Sequence, residues 1–272
     1  VNPFGIIFNS VSLEKLIKRI VEKNYFTEKD IFKYNNLWHC YEVHSELSNS
    51  NKEVFLDNLN SIIDSTNQQI IKLSHCFITL GTSWVYKNNQ SSEIVANCHK
   101  VPQKEFTKVL LSTKQIEESL QNIVSLIHSL NPNVKFVFTV SPVRHSKDGF
   151  IENNVSKAHL LSSVYNIGLQ RSKEVTYFPS YEIVIDELRD YRFYNEDMLH
   201  PNQQAIDYIW EKFSFSFFSN DTIKVAKEIE SIQKGLSHRP FNPNTDEHQK
   251  FLKHLESKIK ELTKKYDFLN FS

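Results

Sequence analysis

No excess of charge of either sign runs through this sequence: 32 Lys and Arg face 32 Asp and Glu, and the formal net charge is zero. With no basic stripe to neutralise phosphates, a polyanion-binding role is disfavoured and no nucleic-acid partner is expected. No apolar run approaches the roughly 20 residues that span a bilayer, and no basic and apolar signal pattern opens the chain, so no membrane partner is expected. Cysteine is scarce. Cys40, Cys76 and Cys98 are an odd number in a chain of 272 residues, which argues against a disulfide framework and for a reducing, cytoplasmic location. Each has a histidine beside it (His39, His75, His99), so each pair offers one ligand to a soft metal, but no C-x-x-C or H-x-x-x-H spacing supports this. Buried free thiols are the better reading, with no metal and no cofactor. A G-x-S-x-G elbow, which would expose a nucleophilic serine, is also missing. So is an initiator Met: Val1-Asn2-Pro3-Phe4-Gly5 reads as the middle of a loop, and the natural N-terminus is expected upstream of it.

What is present is an alternation of helical and strand patterns. Ser10 or Ser12 caps a helix from about Leu13 to Lys23, with Leu13, Leu16, Ile17 and Ile20 on one face. Leu37 to Val43 alternates loosely, as a short strand or hairpin arm, and Ser50 opens an amphipathic helix to Leu73 whose stripe is Val54, Leu59, Ile62, Ile63, Ile70 and Leu73. Cys76 to Leu80 is a continuous apolar run, the pattern of a parallel strand buried on both faces, and Val134 to Val140 is a second. Helices over Thr113–Leu130 and Asn154–Arg171, a short strand at Val175–Phe178 and a helical turn at Tyr181–Leu188 complete the series. That order predicts a three-layer α/β/α sandwich around a parallel sheet, in a domain of residues 1–218. Residues 219–272 read as a C-terminal helical extension packing on the same domain: two charged amphipathic helices, Asn220–Gln233 and Asp246–Lys264, joined by a proline-bearing loop over 235–243. Phe251, Leu252, Leu255, Ile259 and Leu262 would pack back, and the sharper alternative for this helix is a homodimer contact.

Among the 11 histidines only His200 has an aspartate three residues ahead, in Asp197-Met198-Leu199-His200-Pro201-Asn202. That spacing lets the carboxylate accept the imidazole Nδ1–H and leaves Nε2 free as a base. The alternative is a helix-capping Asp beside an ordinary surface His. In parallel sheets ligands sit outside the carboxyl ends of the strands, where Gly81-Thr82-Ser83-Trp84, Ser141 to His145 and Pro179 to Glu182 each follow a proposed strand. Gly5, Gly81 and Thr82 are the candidate oxyanion donors, against a simple turn requirement for the glycines. Trp84, His99, Arg144 and His145 are the candidate substrate-binding residues: a stacking wall, a carboxylate or hydroxyl partner, and polar groups beside the pocket loops. Ser83 and Ser141 are residual nucleophile candidates, neither having a Gly-flanked turn.

The strings VNPFGIIFN, ITLGTSWVY, ANCHKVPQKEF, FTVSPVRHSKDG, YFPSYEIVIDELRDYRFYNEDMLHPN and RPFNPNTDEHQKFL together resemble the GSCFA family, a bacterial branch related to the SGNH (GDSL) hydrolases and common in Bacteroidetes. The resemblance runs from Val1 to about Leu262. It implies that Asp197 and His200 match the SGNH D-x-x-H pair. Gly5 would lie near the second-block glycine, and Gly81-Thr82 where the G-x-N block supplies an oxyanion residue, with Thr in place of Asn. The Gly-Ser-Cys-Phe-Ala motif that names the family is not in this sequence and would precede Val1, taking the nucleophilic serine and the first, central strand of a five-stranded flavodoxin-like sheet of order 2-1-3-4-5 with it. The implied activity is carboxylic-ester hydrolysis, plausibly of an acetylated carbohydrate. The alternative is a non-catalytic carbohydrate-binding or scaffold protein on the same frame.

Overall fold

In the computed structural model, which describes residues 1–240 and 245–271, the first helix is opened by a residue just ahead of the serines named above. Asn9 Oδ1 accepts the Ser12 amide at 2.9 Å, and α1 runs Ser10–Glu22 with Leu16, Ile17 and Ile20 buried. With Asn9 in extended backbone as the cap, Ser10 and Ser12 lie inside the first turn. β1 (Phe32–Tyr34) and β2 (Leu37–His39) form an antiparallel hairpin. Its turn residues Asn35 and Asn36 both have positive φ, 46° and 62°, the conformation that matches the twist of a two-residue hairpin. α2 (Lys52–Lys72) is capped by Asn51, and its first buried residue is Phe55 where the sequence stripe had Val54.

β3 (His75–Leu80) is followed by a sheet that the sequence reading lacked. β4 (Trp84–Asn88), β5 (Ile94–Val95) and β6 (Phe106–Leu110) pair antiparallel in the order β5-β4-β6. α3 spans Thr113–Leu130, with a reciprocal capping box between Ser112 and Gln115. β7 (Lys135–Val140), α4 (Phe150–Gln170) and β8 (Val175–Tyr177) follow, and β3, β7 and β8 pair in parallel in that order. Phe136 faces Cys76 on one side and Val175 on the other. The parallel sheet with its flanking helices is the α/β/α arrangement expected, and the C-terminal helices expected after it are present. Among the described residues the sheet has three strands rather than five, and β3 is at its edge. Its edge position explains why Phe77 is half exposed, where the apolar run had suggested burial on both faces. β7 is the strand buried throughout its middle, from Phe136 to Phe138.

α5 (Ser180–Glu182) passes directly into a turn of π-helix, Ile183–Glu187, then come α6 (Gln203–Phe217), α7 (Asn220–Ser237) and α8 (Asp246–Lys265). By internal contacts the chain divides into two units, Val1–Ile206 and Asp207–Ser272. The first holds the main core, from Phe4 to Val175. The second has a small one, Ile232, Leu255 and Leu262, with Ile259 packed against it and Phe251 and Leu252 exposed. The loop read over 235–243 begins in fact inside α7, and its residues 241–243 lie outside the described residues.

Candidate active site

Asp197 is committed to its own loop. Oδ1 accepts the backbone N–H groups of Leu199 (2.8 Å) and His200 (2.9 Å), and Oδ2 lies 2.6 Å from His200 Nδ1. Hydrogen bonds from the His200 amide and ring, then from the Leu199 amide, lower the Asp197 pKa to about 2, so the carboxylate stays ionised in all but strong acid. Met198 takes the left-handed conformation, φ 57°, which closes the turn tightly enough for one carboxylate to reach all three donors. The loop is pinned at both ends. Asn195 donates its amide to the His200 carbonyl (2.8 Å), and the Asn202 side chain donates to the Arg192 carbonyl (2.6 Å) while its Oδ1 caps α6 at Ala205. Pro201 bridges to Tyr194. The same aspartate thus makes a turn and orients an imidazole, and the helix cap is Asn202, not Asp197. His200 Nε2 has no hydrogen-bond partner among the described residues.

Beside this loop lies a cavity of about 520 Å³, lined by Leu199 and by the segments that leave β3 and β7, with Phe8, Asn9, Thr82, Trp84, Arg144 and His145 among its residues. Three of the four substrate-binding candidates therefore meet here. Trp84 donates its indole N–H to the Glu152 carbonyl (3.1 Å), and Lys108 stands 4.8 Å over its ring while pairing with Asp148. Burial, with Lys157 nearby, lowers the His145 pKa and keeps that imidazole neutral. The fourth candidate, His99, is placed elsewhere. Its ring packs 4.7 Å from that of His39 and bonds the Cys40 carbonyl at 2.7 Å, and burial pulls its pKa down to about 4. It is part of the packing around the hairpin, which no spacing in the sequence distinguishes from a loop ligand.

The proposed oxyanion donors are spent inside the fold. Gly5 donates its N–H to the Asn2 carbonyl at 2.8 Å, and the Gly81 and Thr82 amides both point at the Phe8 carbonyl, at 3.1 and 3.4 Å. What Gly5 supplies instead is a turn: its φ is +75°, and a Cβ there would collide with the His44 side chain. The Thr82 hydroxyl bonds Ser156 Oγ (3.0 Å) and accepts the Trp84 amide. Asn9, which no pattern singled out, fits a donor role better. With Oδ1 held by the Ser12 amide, its Nδ2 is a donor with no partner among the described residues, in a side chain that lines the cavity. Ser83 is overturned as a nucleophile, because it is fully buried and its Oγ donates to the Ser156 carbonyl at 2.6 Å. Ser141 Oγ accepts the Val143 amide, and Ser141 does not line the cavity.

Sequence reasoning also missed Lys157. Its ammonium is buried behind the site and donates to the Gly81 and Ser141 carbonyls, both at 2.6 Å, tying the carboxyl ends of β3 and β7 together. Burial lowers its pKa to about 8. The three cysteines are free thiols, pushed up by burial to about 12 at Cys40 and about 11 at Cys76 and Cys98. Among the described residues no group of three or more His, Cys, Asp or Glu is arranged to hold a metal ion, and no helix is long and apolar enough to cross a membrane.

Two family models match this chain: the GSCFA family over residues 1–213, and the GSCFA domain protein, C-terminal domain, over residues 229–272. No curated protein matches it.

Proposed function

The chain belongs to the GSCFA family, and on that footing we propose that it is an SGNH-like carboxylic-ester hydrolase that deacetylates a carbohydrate. The observation that carries this reading is the 2.6 Å bond from His200 Nδ1 to Asp197, which leaves Nε2 unpartnered, in a loop whose Leu199 lines a cavity large enough for a sugar ring. In this account Nε2 takes the proton of a serine hydroxyl as its oxygen attacks the acetyl carbon, gives it to the leaving alcohol as the ester bond breaks, and then deprotonates the water that releases acetate and frees the serine, while Asp197 fixes the tautomer and stabilises the imidazolium. The serine is that of the family's name motif, which the resemblance puts ahead of Val1. Asn9 Nδ2 supplies a hydrogen bond to the oxyanion.

One observation favours a second reading, a carbohydrate-binding protein without turnover. The His200 and Asp197 side chains are 58% and 46% exposed, where a hydrolytic pair works best shielded from water. Assaying the natural full-length product on acetylated sugars and short acyl esters separates the two. The hydrolase reading expects His200→Ala to lower kcat about ten-thousand-fold, with Asp197→Asn close behind. Turnover that survives His200→Ala removes it, and sugar binding without any turnover establishes the binder.

A further inference from the structure

The cavity is more basic than the chain that carries it. Lys108, Arg144 and Lys147 line it against one carboxylate, Asp148, in a chain of zero net charge. Asp148 is already taken, in its ion pair with Lys108. Arg144 is held without an acid. Its guanidinium carbon lies 5.4 Å over the Tyr194 ring, and no carboxylate pairs with it among the described residues. Lys147, exposed on the same loop, has no ion pair among them either.

A half-buried guanidinium loses hydration that an acid ordinarily replaces. The cation–π contact with Tyr194 uses none of its N–H donors, which leaves the fork for a ligand. Tyr194 is also the residue whose backbone is bridged to Pro201, so one residue carries the ring beneath the guanidinium and holds one end of the His200 loop. Beside it the half-buried indole of Trp84 and the ring of Tyr86 offer an apolar wall.

Resting on the ester-hydrolase reading of this site, we propose that the substrate is an ester of an acidic saccharide, whose carboxylate pairs with Arg144 and whose ring lies along Trp84. Lys147 adds charge at the rim. A carboxylate fits better than a phosphate, because one planar fork meets both of its oxygens and its whole charge, whereas a phosphate keeps a third oxygen and further charge to be met. Phosphate sites characteristically add several backbone amides at a helix N-terminus. At the helix start that lines this cavity, that of α1, the Ser12 and Leu13 amides are already bonded to Asn9.

The test is binding to the full-length protein, measured calorimetrically with sodium glucuronate, glucose and glucose 6-phosphate at low and high salt. Glucuronate is expected to bind at least about tenfold more tightly than glucose, with the difference shrinking as salt screens it. Arg144→Gln should abolish that preference, Arg144→Lys should keep part of it, and Lys147→Gln should weaken it less than Arg144→Gln does. Equal binding of glucuronate and glucose overturns the proposal. So does a preference untouched by Arg144→Gln, or tighter binding of glucose 6-phosphate than of glucuronate. If Arg144→Gln fails to fold, the wild-type ratio and its salt dependence still decide. Because binding is read apart from turnover, a glucuronate preference without ester cleavage removes the hydrolase reading alone. Ester cleavage without the preference removes the acidic substrate alone.

Discussion

Lys157 shows how a single residue can matter to a site it does not enter. Its ammonium donates to two strand-end carbonyls, so replacing it with methionine leaves both without that donor, a cost of about 1–3 kcal/mol each. Against that, the variant no longer buries a charge, and we expect a net destabilisation of about 1–3 kcal/mol at pH 7. The pH dependence has a definite sign. Burial holds the folded pKa at about 8, below the ordinary 10.5, so between those values the unfolded chain binds the proton more strongly and wild-type stability rises with pH. Urea denaturation of wild type and Lys157→Met from pH 7 to 10.5 checks this. The gap between them should widen as pH rises, and a gap that narrows would show that Lys157 is not held in its charged-disfavouring environment. Nothing in the sequence marks this lysine. Within an amphipathic stretch such as Asn154 to Arg171 a Lys reads as solvated, and only the strand ends it meets, about 16 and 76 residues earlier, reveal otherwise. The Asp197–His200 contact was legible because its geometry is local: three residues of separation are enough to specify a turn and a ring orientation.

At the level of elements, the loop before α1 illustrates how a turn can carry a site. Gly5 at φ +75° sends the chain past His44 so that Phe8 can accept the Gly81 and Thr82 amides and Asn9 can line the cavity. Gly5→Ala combines a left-handed conformation with a collision against His44, and we expect it to cost more than about 1 kcal/mol in thermal or chemical denaturation. Its effect on sugar binding should exceed that of an equally destabilising core change, since it shifts Phe8 and Asn9. Equal effects would mean that the loop is only structural. The elements that sequence read well are those whose signals are local and redundant. α3 spans the residues expected because Ser112, Gln115 and the Asn131-Pro132 stop all agree. The antiparallel sheet of β4, β5 and β6 went unread because its strands carry Lys87, Lys108 and Asn88 among the apolar residues, and because β4 and β6 pair across a 17-residue segment that includes the two-residue β5. The edge position of β3 was equally hidden, since an apolar run says nothing of which strand lies beside it.

For the whole molecule, the two contact units differ sharply in what each can bury. The unit Val1–Ile206 holds a continuous core through Phe55, Ile123, Phe138 and Ile167, whereas Asp207–Ser272 relies on Ile232, Leu255 and Leu262. A unit of fewer than 70 residues with so small a core sits near the margin of independent stability. The separate family matches over 1–213 and 229–272 follow nearly the same division. We therefore expect the chain to unfold in two steps, with amide protection lost first from α7 and α8 and later from β7 and α3. Leu255→Ala should move only the early transition, and Phe138→Ala only the late one, by about 3–5 kcal/mol. Hydrogen exchange read by mass spectrometry across a denaturant series distinguishes the outcomes. If both substitutions shift one common transition, the two units unfold as a single cooperative body, and the small core of the second is stabilised by the first.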